Sequence, residues 1–263
     1  MSDFVTKTRN SKTRSSVVIM DIKDAFGSMC HSKLEQILTE VRKKMPKTAF
    51  IYNLKYQYHG DRKYFNKKMV SFSENASNLQ VPNLKNARFM KTDGKKEIDT
   101  KSTINNIIKR MKLHIIQLKV GRKKLYRVRK GVLQGDPLSS ALCNIYYGHL
   151  VQTHLQKFAK INDEQIFARG MDDFIFATKN ELMAVDFLRQ MQKGFPDYGG
   201  CEIQKSKTAT NLPIFENFEN SRRKMRFCGA VLDPDDISCR PDFEGYHNRN
   251  IVYASSLSKF LCF

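Results

Sequence analysis

The chain has 263 residues, 41% hydrophobic and 11% aromatic, enough for one large buried core or two small ones. Its 46 Lys and Arg against 26 Asp and Glu give a formal charge of +20 and a pI near 9.7, so a nucleic acid is the leading partner, ahead of an ordinary basic soluble enzyme. Six scattered Cys without a CxxC pair fit free, buried thiols better than a disulfide framework or zinc site, no apolar run reaches the ~20 residues of a membrane span, and the polar, basic start is no secretory signal; the expectation is a soluble intracellular protein.

In chain order, residues 1–14 read as a basic, disordered N-terminus. "SVVIMDI" (16–22) is a short buried strand. A helix follows, with Ser32 and Glu35 at capping-box spacing, Leu34, Ile37, Leu38 and Val41 on one face, and Pro46 as its stop. "FIYNLKYQYHG" alternates as a half-exposed strand does, whereas residues 60–105, rich in Lys, Asn and Ser, read as an insertion or surface loop. "HIIQLKVGRKKLYRVRKGV" predicts a hairpin turning at Gly121. A long helix should come next, with Asp136 at its N-cap, Pro137 at the first helical position, and Leu138, Leu142, Ile145 and His149 on one face.

Two β-rich arms then flank Asp172 and Asp173, and a further helix near 181–192 buries Ala184, Phe187, Leu188 and Met191. A last hairpin is expected to turn at Pro234-Asp235-Asp236. No repeat or linker divides the chain, so residues 15–263 are expected to form one α+β domain, an antiparallel sheet with helices packed on one face.

Three constellations point to chemistry. Adjacent carboxylates inside an apolar hairpin repel each other and are costly to bury. The Asp172–Asp173 pair is therefore either a solvated turn or two legs of a divalent-metal site, with Asp21, at the end of "VVIMD", as the third leg. Two Mg²⁺ ions in such a triad can lower the pKa of an attacking hydroxyl and neutralise a leaving phosphate, the chemistry of nucleotidyl transfer. "GVLQGDPLS" is either a Gly-bounded turn into a helix or a loop whose Gln134 and Gly135 approach a base or sugar. Before it, Arg122, Lys123, Lys124, Arg127, Arg129 and Lys130 form a basic hairpin that is either a solvated face or a phosphate-binding one.

Together these segments resemble a reverse transcriptase palm, and more closely that of the telomerase reverse transcriptases. "VVIMDIKDAF" is similar to the first metal motif, "GVLQGDPLS" to the template-contacting motif and "MDDF" to the second metal motif. "LSSALCNIYYGHL", the segment before QG, "GFPDYGGCEIQKSKTATN", "FCGAVLD" and "DFEGYHNRNI" continue the likeness in order, over about residues 14–256. "QGDPLS", with Asp136 where that family usually has Ser, is closer to non-long-terminal-repeat retroelements and group II intron enzymes. Gly27 stands where an acid is common, and Gly200 lengthens the segment before Lys207.

The resemblance implies RNA-templated DNA synthesis at chromosome 3′ ends. It makes Asp21, Asp172 and Asp173, with the carbonyl of Ile22, the holders of two Mg²⁺ ions. Phe26 becomes the block against a ribose 2′-hydroxyl, Gln134 and Gly135 contacts to nucleotide and template, and Lys207 a proton donor to pyrophosphate. Phe227, Cys228 and Gly229 become the primer grip. The implied partners are a telomerase RNA template, a single-stranded telomeric DNA primer, deoxynucleoside triphosphates and other holoenzyme proteins, with no membrane, in the nucleus at telomeres. Fingers, RNA-binding domain and thumb find no counterpart, so the chain reads as a palm-only piece or shortened gene product. The other readings are a retroelement reverse transcriptase and an inactive palm that only binds nucleic acid.

Overall fold

A computed structural model describes residues 15–59, 64–72, 82–117, 125–160, 162, 164–213, 225–235 and 238–243. The expected disordered segment 1–14 and most of "DFEGYHNRNI" lie outside them. The chain divides into two compact units, Met1–Leu34 with Lys130–Phe263, and Glu35–Arg129, where the sequence suggested one domain.

The first unit is built on β1 (Ser16–Asp21), whose run of apolar residues is almost wholly buried. It lies second from the edge of a four-stranded antiparallel sheet with β7 (Gln165–Gly170), β8 (Asp173–Thr178) and β9 (Ala209–Thr210), in the order β7-β8-β1-β9. Residues directly opposite in such a sheet share a face. Val18, Met20, Phe174 and Phe176 therefore line one face, fully buried. There Phe176 meets Phe158, which follows α4 (Ser139–His154), and Phe187 of α5 (Glu181–Lys193). Ring pairs of this kind add roughly 0.5–1.5 kcal/mol each beyond area burial.

On the other face Val17, Ile19, Ile166, Ile175 and Ala177 pack with Ala209 and Met225. Met225 belongs to a small sheet of β10 (Met225–Phe227), β11 (Ala230–Leu232) and β12 (Cys239–Pro241). The single hairpin expected there is thus two: Cys228-Gly229 turns the first, and the predicted Pro234-Asp235-Asp236 turn, of which Asp236 lies outside the described residues, falls in the second.

The start of α4 also differs from expectation. Asp136 does not cap the helix; its Oδ1 accepts from the Leu138 backbone N–H at 2.9 Å, closing a turn before the helix begins at Ser139. The buried stripe of α4 is Leu142, Cys143, Tyr146, Tyr147 and Leu150, broader than the one expected, because Tyr146 and Tyr147 both turn inward. The predicted α5 is found, its N-cap Asn180 accepting from the Met183 N–H.

α1 (Ala25–Ser28) and then α2 (His31–Lys44) follow β1, and the unit boundary falls within α2. Ser32 lies inside the first turn of α2, not at its N-cap, with its hydroxyl 3.0 Å from Cys30 Sγ. Leu34, Ile37 and Leu38 are buried as expected.

Residues 60–105 were expected to be an insertion or surface loop, and the second unit corrects the loop alternative. It holds β3 (Tyr64–Ser71), β4 (Ala87–Asp99) and the start of α3 (Thr100–Lys112). With β2 (Thr48–Tyr58) the strands form an antiparallel sheet in the order β3-β2-β4. The Lys-rich alternation hid them: only one face of β3 meets the core of Phe50, Tyr52, Leu54 and Tyr56. Asp99 caps α3 by accepting from the N–H groups of Lys101 and Ser102. The predicted hairpin exists as β5 (Ile115–Gln117) and β6 (Leu125–Arg127), in a register centred on position 121; its tip, with Arg122, Lys123 and Lys124, lies outside the described residues. Among the described residues no helix is long and apolar enough to cross a membrane.

Candidate active site

Asp21 ends β1 and Asp173 begins β8, and the antiparallel register sets them directly opposite each other. Met171 and Asp172 form the tight turn between β7 and β8, with Met171 in the left-handed region at φ 56°. The Asp172 carbonyl accepts from the Ile22 N–H at 3.1 Å, tying this turn to the end of β1. On its other side β1 is held by the 202–204 segment: Gln204 N–H donates to the Asp21 carbonyl at 2.7 Å and Ile22 bridges Ile203. The ends of β1 and β8, each apolar over the four residues next to its acid, and the turn between β7 and β8 thus bring three acids to one end of the sheet.

The electrostatics match that crowding. Burial, and then the neighbouring Asp172 and Asp21 charges, push Asp173 up to about 6. Burial and the Asp21 charge raise Asp172 as well. Lys207, in a short 3₁₀ turn, places Nζ 2.6 Å from Asp21 Oδ2, and this hydrogen bond holds its ammonium above the usual lysine range. One lysine thus stands against three carboxylates.

Cys228 lies across the same end. Its Sγ is 3.9 Å from Asp173 Oδ2, and burial beside that acid raises the thiol to about 11. The Cys228-Gly229 turn runs through the left-handed region at both residues, φ 46° and 80°. Phe227 packs partly buried against the sheet core. A Cβ on Gly170 would come within 2.5 Å of Cys228 Sγ, so glycine there lets the turn seat beside the acids.

Arg169 was missed by the sequence reading. Its guanidinium donates to the Met171 carbonyl, to Asn144 Oδ1 at 3.2 Å and to the Asn144 carbonyl at 3.1 Å, so it fastens the Asp172 turn to α4. A cation in an otherwise apolar β arm, three residues before the acids, was the available signal.

Phe26 and the "GVLQG" loop are brought together. Val132 N–H donates to the Phe26 carbonyl and Gly131 N–H to the Met29 carbonyl, both at 2.8 Å, while His31 Nε2–H donates to the Gly131 carbonyl at 2.7 Å. Gly131 has φ +72°, and a Cβ there would fall 2.6 Å from Gly27 Cα. A Cβ on Gly27 would instead run into the Asp24 carboxylate, which accounts for the departure there. Tyr147 donates to the Ala25 carbonyl at 2.8 Å, and Tyr146 accepts from Cys30 N–H at 3.1 Å, which pins this segment to α4. Phe26 is half-buried, and Gln134 and Gly135 are exposed at the tip of the loop. Of the basic hairpin, Arg127 and Arg129 are exposed residues of the second unit, and Lys130 is an exposed residue of the first.

Among the described residues no group of three His, Cys, Asp or Glu side chains is arranged to hold a metal ion. The donor chemistry nonetheless fits a hard divalent ion. All three groups are carboxylates, the ligand type such an ion takes, and beyond the effect of burial each of Asp172 and Asp173 is raised by a neighbouring acid's charge.

No protein-family model matches the chain. Curated relatives are telomerase reverse transcriptases. The protein from Canis lupus familiaris is 29% identical over 155 residues, covering 56% of this chain and 13% of that protein. The one from Oryza sativa subsp. japonica is 24% identical over 281 residues, covering 96% and 22%. Among solved structures, telomerase from Candida tropicalis in complex with a TWJ fragment of telomeric RNA superposes with a TM-score of 0.65 at 16% identity, over 99% of this chain and 35% of that one. The Candida albicans counterpart gives 0.60 at 21%, over 92% and 34%. The chain therefore spans less than a quarter of the length of these curated relatives, and it shares the fold of part of the yeast enzymes.

Proposed function

We propose that this chain, a relative of the telomerase reverse transcriptases along up to 96% of its length, is the palm of an RNA-templated DNA polymerase that extends chromosome 3′ ends in the nucleus. The observation that carries the reading is the pairing of Asp21 with Asp173, with Asp172 in the adjoining turn and Lys207 on Asp21. Asp21, Asp172 and Asp173, with the Ile22 carbonyl, would hold two Mg²⁺ ions. When bound, these would lower the pKa of the primer 3′-hydroxyl and neutralise charge on the departing pyrophosphate.

The chain's own residues do the rest. Lys207, whose ammonium is held protonated by its bond to Asp21, would give its proton to the leaving group. The Phe26 ring would exclude a 2′-hydroxyl. Gln134 and Gly135, at the exposed tip of a loop braced on the Phe26 segment, would meet nucleotide and template. The Cys228-Gly229 turn would seat the primer end beside the acids. The partners are an RNA template, a single-stranded telomeric primer and deoxynucleoside triphosphates, with other holoenzyme proteins around them.

The curated relatives favour telomerase over a retroelement enzyme, since those compared are all telomerase reverse transcriptases. Repeat addition by the assembled particle separates the two readings. Extension of a telomeric primer should stop on ribonuclease treatment and return only with the particle's own RNA. Full activity on any RNA template would favour the retroelement enzyme. Primer extension by the 263-residue chain alone is expected to be weak or absent, and robust extension would rule out a chain that only binds nucleic acid.

A further inference from the structure

The sheet of the second unit has two unlike faces. Phe50, Tyr52, Leu54 and Tyr56 point to the buried one. The other is fixed by register: Ile51 lies between Val70 and Lys96, Asn53 faces Lys68, Lys55 lies between Asn66 and Lys91, and Gln57 lies between Tyr64 and Arg88. Five cations, Lys55, Lys68, Arg88, Lys91 and Lys96, therefore share one face of three strands. The two acids at the end of β4, Glu97 and Asp99, pair with Phe50 and Thr48 and fall on the opposite face. Lys68, Arg88, Lys91 and Lys96 are exposed, with no ion-pair partner among the described residues. Lys55 lies over the Tyr64 ring, 5.0 Å from its centroid, and that ring is 52% exposed.

Like charges gathered on one sheet face repel unless something compensates them. Same-face positions repeat every two residues, roughly 6.6–6.8 Å along a strand, a step comparable to that between successive phosphates of an extended nucleic-acid strand. Tyr64 adds a ring on which an unpaired base can stack and a paired one cannot. We propose that this face of β3-β2-β4 is a sequence-independent binding surface for single-stranded nucleic acid, its phosphates on Lys55, Lys68, Arg88, Lys91 and Lys96 and a base on Tyr64. The surface lies in the unit that contains none of the three carboxylates, and it stands whether or not the polymerase reading does.

The test uses the 263-residue chain and a fluorescent mixed-sequence oligodeoxynucleotide, with anisotropy read across about 50–200 mM KCl. Lys68→Gln/Lys91→Gln/Lys96→Gln is compared with Lys43→Gln/Lys44→Gln/Lys101→Gln, which removes the same charge from exposed helix positions. The sheet triple should weaken binding by about tenfold or more and lower the salt slope by about 2, with much smaller changes in the helix triple. Arginine at the three sheet positions should retain binding, and Tyr64→Ala should weaken single-strand binding while sparing duplex. Equal losses in the two triples would overturn the proposal, as would loss in the arginine variant with unchanged circular dichroism. Duplex bound as tightly as single strand, with Tyr64→Ala silent, would overturn the single-strand assignment.

Discussion

Asp21 on β1 and Asp173 on β8 are directly opposed partners in one antiparallel ladder, the last pair of a run that begins with Ser16 and Thr178. Every pair between them is apolar, so the sheet's pairing, and not a loop, sets how close the two acids come. A one-residue slip would send one acid to the other face.

That placement has a thermodynamic signature. Asp173 titrates near 6 in the folded chain, against about 3.8 for the free side chain. The native state therefore binds more protons than the unfolded state between these values, and stability falls as pH rises through the window. With metal removed by chelator, Asp173→Asn should raise stability at pH 7 by on the order of 1–3 kcal/mol, with the gain gone below about pH 4. Urea melts at a series of pH values measure this, and a pH-independent difference would contradict it.

Gly170 and Cys228 are coupled by contact. Gly170→Ala places a methyl 2.5 Å from Cys228 Sγ, so the turn must shift away from Asp173. The expected cost is about 1–3 kcal/mol, relieved largely by Cys228→Gly in the same chain. Additive effects in a double-mutant cycle would show that the two residues do not meet.

Arg169 is a positioning residue for Asp172. Arg169→Gln removes a half-buried guanidinium's bonds to Met171 and Asn144 and should cost roughly 1–3 kcal/mol. Lysine should not rescue it, because one ammonium cannot reproduce the forked donors. Thermal melts of the two variants, with hydrogen exchange at the Asp172 turn, report the loosening. Protection equal to the unsubstituted chain would remove Arg169 from this role.

Where apolar pattern and burial coincide, the sequence was readable. β1, α5 and the β7–β8 hairpin appear where they were expected, and the two acids sit at the hairpin's tip. β3 and β4 were hidden because their outer face is made of Lys, Asn and Arg, which a pattern search reads as loop. The late start of α4 was hidden by Asp136, whose side chain closes a local turn in place of a helix cap. Arg169 was passed over because its worth lies in Asn144, 25 residues away in the chain. Lys207 makes a contact that spacing alone did not supply, its bond to Asp21.

The central claim is that the three carboxylates act as one site for nucleotidyl transfer. Its most direct measurement is telomeric-primer extension by the assembled ribonucleoprotein carrying this chain with Asp172→Ala, alongside primer binding by the same preparation. The account predicts that extension is lost while primer binding stays within about threefold, since the acid touches the reaction and contributes no favourable charge to a polyanion. Extension at the unsubstituted level by the Asp172→Ala particle would contradict it.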